Sequence, residues 1–267
     1  MSASVFAPPQ PFSSPLHRLD ARVKLALALA YILTTALAPQ GAWAVYVLLL
    51  ALITAAAVLS ELGVGWVYRR SLIAVPFALA AMPLVFSLPG PAWFSLRLGS
   101  LSLTASLTGA ERAASILLKV WLSVQAGILL SATTRQTALL AAMRALKLPR
   151  LLVAVMGLMW RYLDLMLAEA RRLLRARASR SARSAQPGLR TGGTLAWRAK
   201  VTGGMAGSLM LRSLERSERV YQAMLARGYD GEAREAQHHP LAAADRWLLV
   251  GGLWVFLMVN LLALLWK

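Results

Sequence analysis

Apolar residues run along this chain in long blocks, and polar residues gather between them. The first block covers Val23 to Ala38, opens just after Arg22 and ends at Pro39-Gln40-Gly41, a turn signal. A second extends from Trp43 to Leu59 without a charged residue. A third, Leu72 to Leu88, contains Pro76 and Pro83. A fourth covers Ala113 to Ala132, and a fifth Trp247 to Trp266. Each approaches the roughly 20 residues that an α-helix needs to cross about 30 Å of hydrocarbon. Proline is compatible with a span when neighbouring helices or local adjustments satisfy the carbonyls it frees. The pattern predicts an all-α integral membrane protein with about five transmembrane helices.

Between the fourth and fifth blocks, from Thr134 to Arg246, the pattern changes to three helical segments. Leu139, Met143 and Leu146 recur at i, i+4 and i+7, which predicts an amphipathic helix over Gln136 to Leu148 that Pro149 ends. Leu151 to Trp160 is a membrane-grade run. It passes without a break into alternating apolar and basic residues from Arg161 to Arg183, and Pro187-Gly188 stops it. Gly188 to Gly207 reads as a loop with at most a short turn over Leu195 to Val201. The third helix is predicted over Met205 to Arg227, with Gly228 where a C-terminal cap glycine belongs. Arg161 with Asp164 and Glu215 with Arg219 are spaced to form supporting ion pairs within one helix.

Composition sharpens this division. Of the 267 residues, 58% are apolar and only 15% are charged, against about 45–50% and about 25% in an average soluble domain. A disordered chain is excluded. The absence of cysteine excludes a disulfide framework, a thiolate metal site and a cysteine nucleophile. The net charge of +18 points to nucleic acid or an anionic surface. Its location decides: residues 134–246 hold 20 of the 29 Lys/Arg and 8 of the 11 Asp/Glu. The chain therefore divides into an N-terminal membrane region, 1–133, a basic region, 134–246, and a last membrane helix, 247–267.

Arg18, Arg22 and Lys24 precede the first block, and Arg69-Arg70 follow the second. Retention of basic segments places the N-terminus and residues 134–246 in the cytoplasm. The first 16 residues carry no basic side chain and do not read as a signal peptide. Lys119, inside the fourth block, is expected to snorkel to the interface.

Recognisable catalytic chemistry is missing from the sequence. There is no G-x-x-x-x-G-K-[ST] loop, no G-x-S-x-G and no H-E-x-x-H. His238-His239 stand in a polar tract with no third ligand nearby, and no pair of carboxylates lies within an apolar block. Such a chain is expected to be a non-catalytic subunit of a larger assembly. Two triplets near the ends of the basic helices suit docking: Ala176-Arg177-Ala178 and Ala226-Arg227-Gly228. Small neighbours leave each guanidinium clear to enter a groove on another protein.

Three segments carry a resemblance. They are His17-Arg18-Leu19-Asp20-Ala21-Arg22-Val23-Lys24-Leu25, then Thr133-Thr134-Arg135 through Leu148-Pro149 to Arg161-Tyr162 and Arg171–Arg180, and lastly Arg212 through Met224 into Ala226-Arg227-Gly228-Tyr229-Asp230-Gly231. The chain resembles the transmembrane component of energy-coupling-factor (ECF) transporters, of the type associated with cobalt uptake for cobalamin synthesis. The resemblance implies a scaffold in the bacterial cytoplasmic membrane. It implies that the basic helices couple two ATP-binding cassette ATPase subunits to a small membrane-embedded substrate-binding subunit. The ATPase-docking motifs fall on Ala176, Arg177 and Ala178, where Ala178 replaces an expected glycine, and on Ala226, Arg227 and Gly228. ATP and magnesium would belong to the ATPases and cobalt to the substrate-binding subunit, so this chain holds no cofactor. Nucleic acid is not an expected partner. The alternatives are the same scaffold serving nickel or a vitamin and, more remotely, an integral-membrane enzyme acting on an anionic lipid.

Overall fold

The computed structural model describes residues 14–87, 91–98, 101–180, 194–230 and 241–265. The Pro187-Gly188 break, Gly231, His238, His239, Trp266 and Lys267 lie outside the described residues. Two compact units form. One comprises residues 1–146 with 238–267, and the other residues 147–237.

The first unit begins with two capped helices. The Ser14 hydroxyl accepts the His17 N–H at 3.4 Å and opens the short α1, Pro15–Arg18. Asp20 caps α2, Ala21–Leu37, its Oδ1 accepting the Arg22 N–H at 2.9 Å. Pro39 and Gly41 turn the chain into α3, Trp43–Leu59. Gly41 has φ +79° and lies so close to the Glu111 carboxylate that any Cβ would collide with it.

Beyond α4, Val64–Ser71, the structure corrects the expected third span. Residues 72–87 do not form one helix. A 3₁₀ turn, Leu72–Ala74, leads into α5, Val75–Leu79, and then α6, Leu84–Ser87. Each proline sits at the start of a short helix, where its missing N–H is harmless, and neither sits inside a long one. An antiparallel hairpin follows, β1 Ala92–Leu98 and β2 Leu101–Ser106, with Leu98 opposite Leu101. The otherwise helical reading did not anticipate it. Ser106 then caps α7, Leu107–Thr133, by accepting the Gly109 N–H at 3.0 Å. α8, Gln136–Ala145, is shorter than expected. It ends before Lys147, whose φ of +61° is incompatible with continuing the helix. The last helix of this unit, α11, is Ala243–Leu265.

The principal packing within this unit converges on α2, which lies against α7, α8 and α11. Two lysines join α2 and α7. The Lys24 ammonium, buried near the start of α2, donates to the Thr133 carbonyl at 3.0 Å and the His17 carbonyl at 3.2 Å. Lys119 on α7 donates to the Ala36 carbonyl at 3.1 Å and the Ala38 carbonyl at 2.6 Å, at the end of α2. Each helix thus supplies a cation to the C-terminal carbonyls of the other, where partial negative charge accumulates. The two pairings also set α2 and α7 antiparallel. Lys119 is a helix-end ligand, and the expectation of simple snorkelling gives way to that role. Around these ties pack Val23, Tyr31, Leu49, Leu122 and Leu129. His17 lies beside this cluster. Burial and then the Lys24 ammonium hold its imidazole below the ordinary value, with Glu61 opposing.

α11 closes on α2 by two further means. Asn260 Nδ2 donates to the Thr34 hydroxyl at 2.9 Å. Gly252 lies against Leu27, so that an added Cβ would come within 2.5 Å of Leu27 Cδ2. Small residues and interhelical polar bonds are the usual means of joining helices in lipid.

Among the described residues, three helices are long and apolar enough to cross a membrane: Leu107–Thr133, Leu151–Arg180, which falls within the region expected in the cytoplasm, and Ala243–Leu264. The chain is a membrane protein. α3 is apolar but shorter. The second unit consists of α9, Arg150–Arg180, and α10, Leu195–Ala226. α10 corrects the loop expected up to Gly207. Thr194 caps it by accepting the Trp197 N–H at 3.3 Å, and the helix continues through Gly203, Gly204 and Gly207.

Two outcomes follow from this packing. Lys24→Met and Lys119→Met each remove a cationic donor from two carbonyls, and each should lower stability by about 1–3 kcal/mol in a detergent melt. At the α2–α11 seam, Gly252→Val should cost about 1–3 kcal/mol by overpacking against Leu27. Gly251→Ala, with open space around it, should be neutral or stabilising by up to about 1 kcal/mol.

Candidate functional site

The candidate residues all lie on the α9–α10 pair. Within this unit the two helices run antiparallel and are tied at separate points. Glu169 on α9 accepts from Arg212 Nη1 on α10 at 2.6 Å, and Arg172 Nη1 lies 3.5 Å from the other oxygen of the same carboxylate. Further toward the end of α9, Arg177 Nη1 donates to the Thr202 hydroxyl at 3.1 Å. Thr202 in turn donates to the Arg198 carbonyl at 2.8 Å, so its oxygen is held in place to receive the guanidinium.

The two triplets differ in setting. Ala176, Arg177 and Ala178 lie within α9, which continues to Arg180; both alanines are exposed and Arg177 is half-buried. The helical conformation does not require glycine at position 178. Ala226, Arg227 and Gly228 sit at a helix end and are all exposed. Ala226 is the last residue of α10 and Arg227 is its C-cap. Gly228 has φ +76°, the Gly228 N–H donates to the Leu225 carbonyl at 2.9 Å, and the Tyr229 N–H donates to the Met224 carbonyl at 3.0 Å. This is a Schellman cap. It leaves Arg227 beside the last carbonyls of the helix, where a cation is favoured.

The supporting pairs are arranged otherwise than spacing alone suggests. Among the described residues, no ion pair joins Arg161 to Asp164 or Glu215 to Arg219. The structure uses Glu169 for both of the ion pairs it forms within this unit's described residues. The i, i+3 spacing of Glu169 and Arg172 was visible in the sequence, whereas Arg212 and Thr202 are partners from another helix. Among the described residues no group of three histidine or acidic side chains is placed to hold a metal.

The second unit buries little of its apolar surface. Leu163, Leu167, Leu174, Leu211, Leu214 and Tyr221 are each more than 40% exposed, interspersed with arginines. An apolar and basic surface of this extent suits contact with lipid or with another protein. The fold and this surface together define an integral membrane protein that carries a basic, two-helix arm.

The profile of the CbiQ cobalt transport protein family matches residues 12–239, and the chain belongs to that family. It is accordingly a membrane component of cobalt transport. It is also similar to the uncharacterized protein MJ1571 of Methanocaldococcus jannaschii, at 24% identity over 237 residues, covering 87% of this chain and 77% of that protein.

The Schellman cap can be tested at its glycine. A Cβ on Gly228 meets nothing within 4 Å, so Gly228→Ala is penalised only by the positive φ, by roughly 1–2 kcal/mol. The Tyr229 amide should exchange with solvent roughly tenfold faster in that variant. Gly228→Asn, which tolerates the left-handed region better, should show a smaller change.

Proposed function

We propose that this chain is the transmembrane scaffold subunit of an ATP-driven, ECF-type cobalt importer. It couples two ATP-binding cassette ATPase subunits to a separate membrane-embedded subunit that binds cobalt as substrate. The observation that carries this reading is the exposed α9–α10 pair, with Arg177 and Arg227 near the C-terminal ends of its two helices. Each docking triplet, Ala176-Arg177-Ala178 and Ala226-Arg227-Gly228, engages one ATPase. Closure of the ATPases on ATP displaces one helix relative to the other. The substrate-binding subunit is thereby biased toward its inward-releasing state. Residues 134–246 face the cytoplasm of a bacterial cell, as does the N-terminus, with residues 1–133 and 247–267 in the inner membrane.

Arg177 interacts with Thr202 across the helix pair, so its guanidinium both orders the arm and contributes to the docking surface. Arg227 is held by the cap geometry alone and serves as the cleaner docking probe. Truncation of an exposed arginine should leave folding within about ±0.5 kcal/mol. Truncation of an arginine anchor at an interface costs about 2 kcal/mol or more.

The test is co-purification of the ATPase subunits, together with Co²⁺ uptake in cells. Arg227→Ala should insert normally and lose roughly 30-fold or more in ATPase association. Arg177→Ala combined with Arg227→Ala should lose more than either alone, and lysine should rescue poorly because it lacks the planar fork. Arg175→Ala and Arg180→Ala, both exposed on α9, serve as controls. Equal impairment by these controls would reduce the effect to generic positive charge and sink the docking model.

A further inference from the structure

α9 is long and apolar enough to cross a membrane, yet it lies within the basic region, and almost none of its apolar stretch is buried. Its side chains are sorted by face. Leu152, Val155, Met159, Leu163, Leu167 and Leu174 follow one another at intervals of three, four or seven residues, which aligns them along one side of the helix. Each is between 42% and 53% exposed, so α10 does not cover them. At 1.5 Å per residue the stripe is about 33 Å long.

The charged residues lie off this stripe. Among the described residues of α9, five exposed arginines, Arg161, Arg171, Arg172, Arg175 and Arg180, stand against one exposed acid, Asp164. Glu169 is half-buried and engaged by Arg172 and Arg212. Arg171 follows Leu167 by four residues and precedes Leu174 by three, which places it at the edge of the stripe. A spanning orientation would carry Arg161 and Asp164, near the middle of the helix, into hydrocarbon, where charge is costly. A helix with an apolar stripe on one side and basic residues on the others is instead suited to lie in the plane of the membrane interface. The excess of arginine complements anionic headgroups and distinguishes this surface from one covered by apolar contact alone. The chain is already held at a membrane by α7, which ends at Thr133, a short stretch before α9 begins at Arg150.

We propose that α9 lies along an anionic membrane surface. The stripe from 152 to 174 rests in the boundary between headgroups and acyl chains, and the Arg171 guanidinium at its edge receives lipid phosphate. The assignment does not rest on ATPase docking, which uses Arg177 and Arg227.

The full-length chain contains no cysteine, so a single introduced cysteine can carry a nitroxide label. Leu163→Cys reports on the stripe. Ala168→Cys, at an exposed position on the far side of the helix, reports on the opposite face. Each labelled chain is placed in phosphatidylcholine vesicles with about 30% phosphatidylglycerol, and in phosphatidylcholine alone. The ratio of collision rates with oxygen and with a water-soluble nickel chelate measures depth. In the anionic vesicles the ratio at position 163 should exceed that at 168 by roughly fivefold or more. It should fall roughly twofold in phosphatidylcholine alone, and likewise when Arg171→Glu is added. Met159→Cys, one turn earlier on the stripe, decides the matter if Leu163→Cys fails to fold. Equal exposure of both faces to water would overturn the proposal. Equal exposure of both to lipid would make α9 a spanning helix and overturn it as well. Shielding of position 163 from both reagents would assign the stripe to a second copy of the chain and sink the lipid assignment. A ratio unchanged by lipid composition and by Arg171→Glu would overturn the anionic preference. No ATPase is present in this measurement, so each of these outcomes leaves the docking reading to its own test.

Discussion

Two ammonium groups tie α2 and α7 together through carbonyls at the helix ends. A helix terminus in hydrocarbon leaves carbonyls without partners, and a lysine side chain in hydrocarbon needs acceptors. Lys24 on Thr133 and Lys119 on Ala36 and Ala38 meet both needs at once. Because one pairing joins the start of α2 to the end of α7 and the other joins the end of α2 to the middle of α7, they fix direction and register together. The remaining apolar contacts, such as Tyr31 and Leu49 against Leu122 and Leu129, then fill a frame whose alignment is already set. Few apolar contacts could do this alone, since lipid solvates leucine as well as another helix does.

α11 joins that frame from far along the chain. Its attachment uses the absence of a side chain at Gly252 and the single polar bond from Asn260 to Thr34, 226 residues apart. α2 is thus held at its ends by α7 and along its length by α11.

The α9–α10 arm follows a different economy. It has little core, and most of its apolar and arginine side chains reach the surface. Its internal order comes from the shared Glu169 carboxylate, the Arg177–Thr202 bond and terminal caps at Thr194 and Gly228. Such an element is built to be covered. Its family membership in cobalt transport fits a surface completed by other subunits, the role proposed for Arg177 and Arg227.

Much of this was legible in the sequence because it is local. Apolar length marked α7 and α11 as membrane-grade, charge clustering marked the arm, and Gly228 was readable as a cap because a positive φ admits few other residues. The second triplet could be placed on a helix end for the same reason. Local reading failed where competing partners decided the outcome. Pro76 and Pro83 broke residues 72–87 into short helices, and the glycines of α10 were absorbed into a helix begun by Thr194. The expected pairs at Arg161–Asp164 and Glu215–Arg219 gave way to Glu169, whose strongest partner lies 43 residues away. Lys24 finds Thr133 across 109 residues, and nothing in the spacing of either segment encodes that meeting. Hydrophobicity and helix ends are properties of a few neighbouring residues; the acceptor of a buried lysine is chosen only when distant helices are brought side by side.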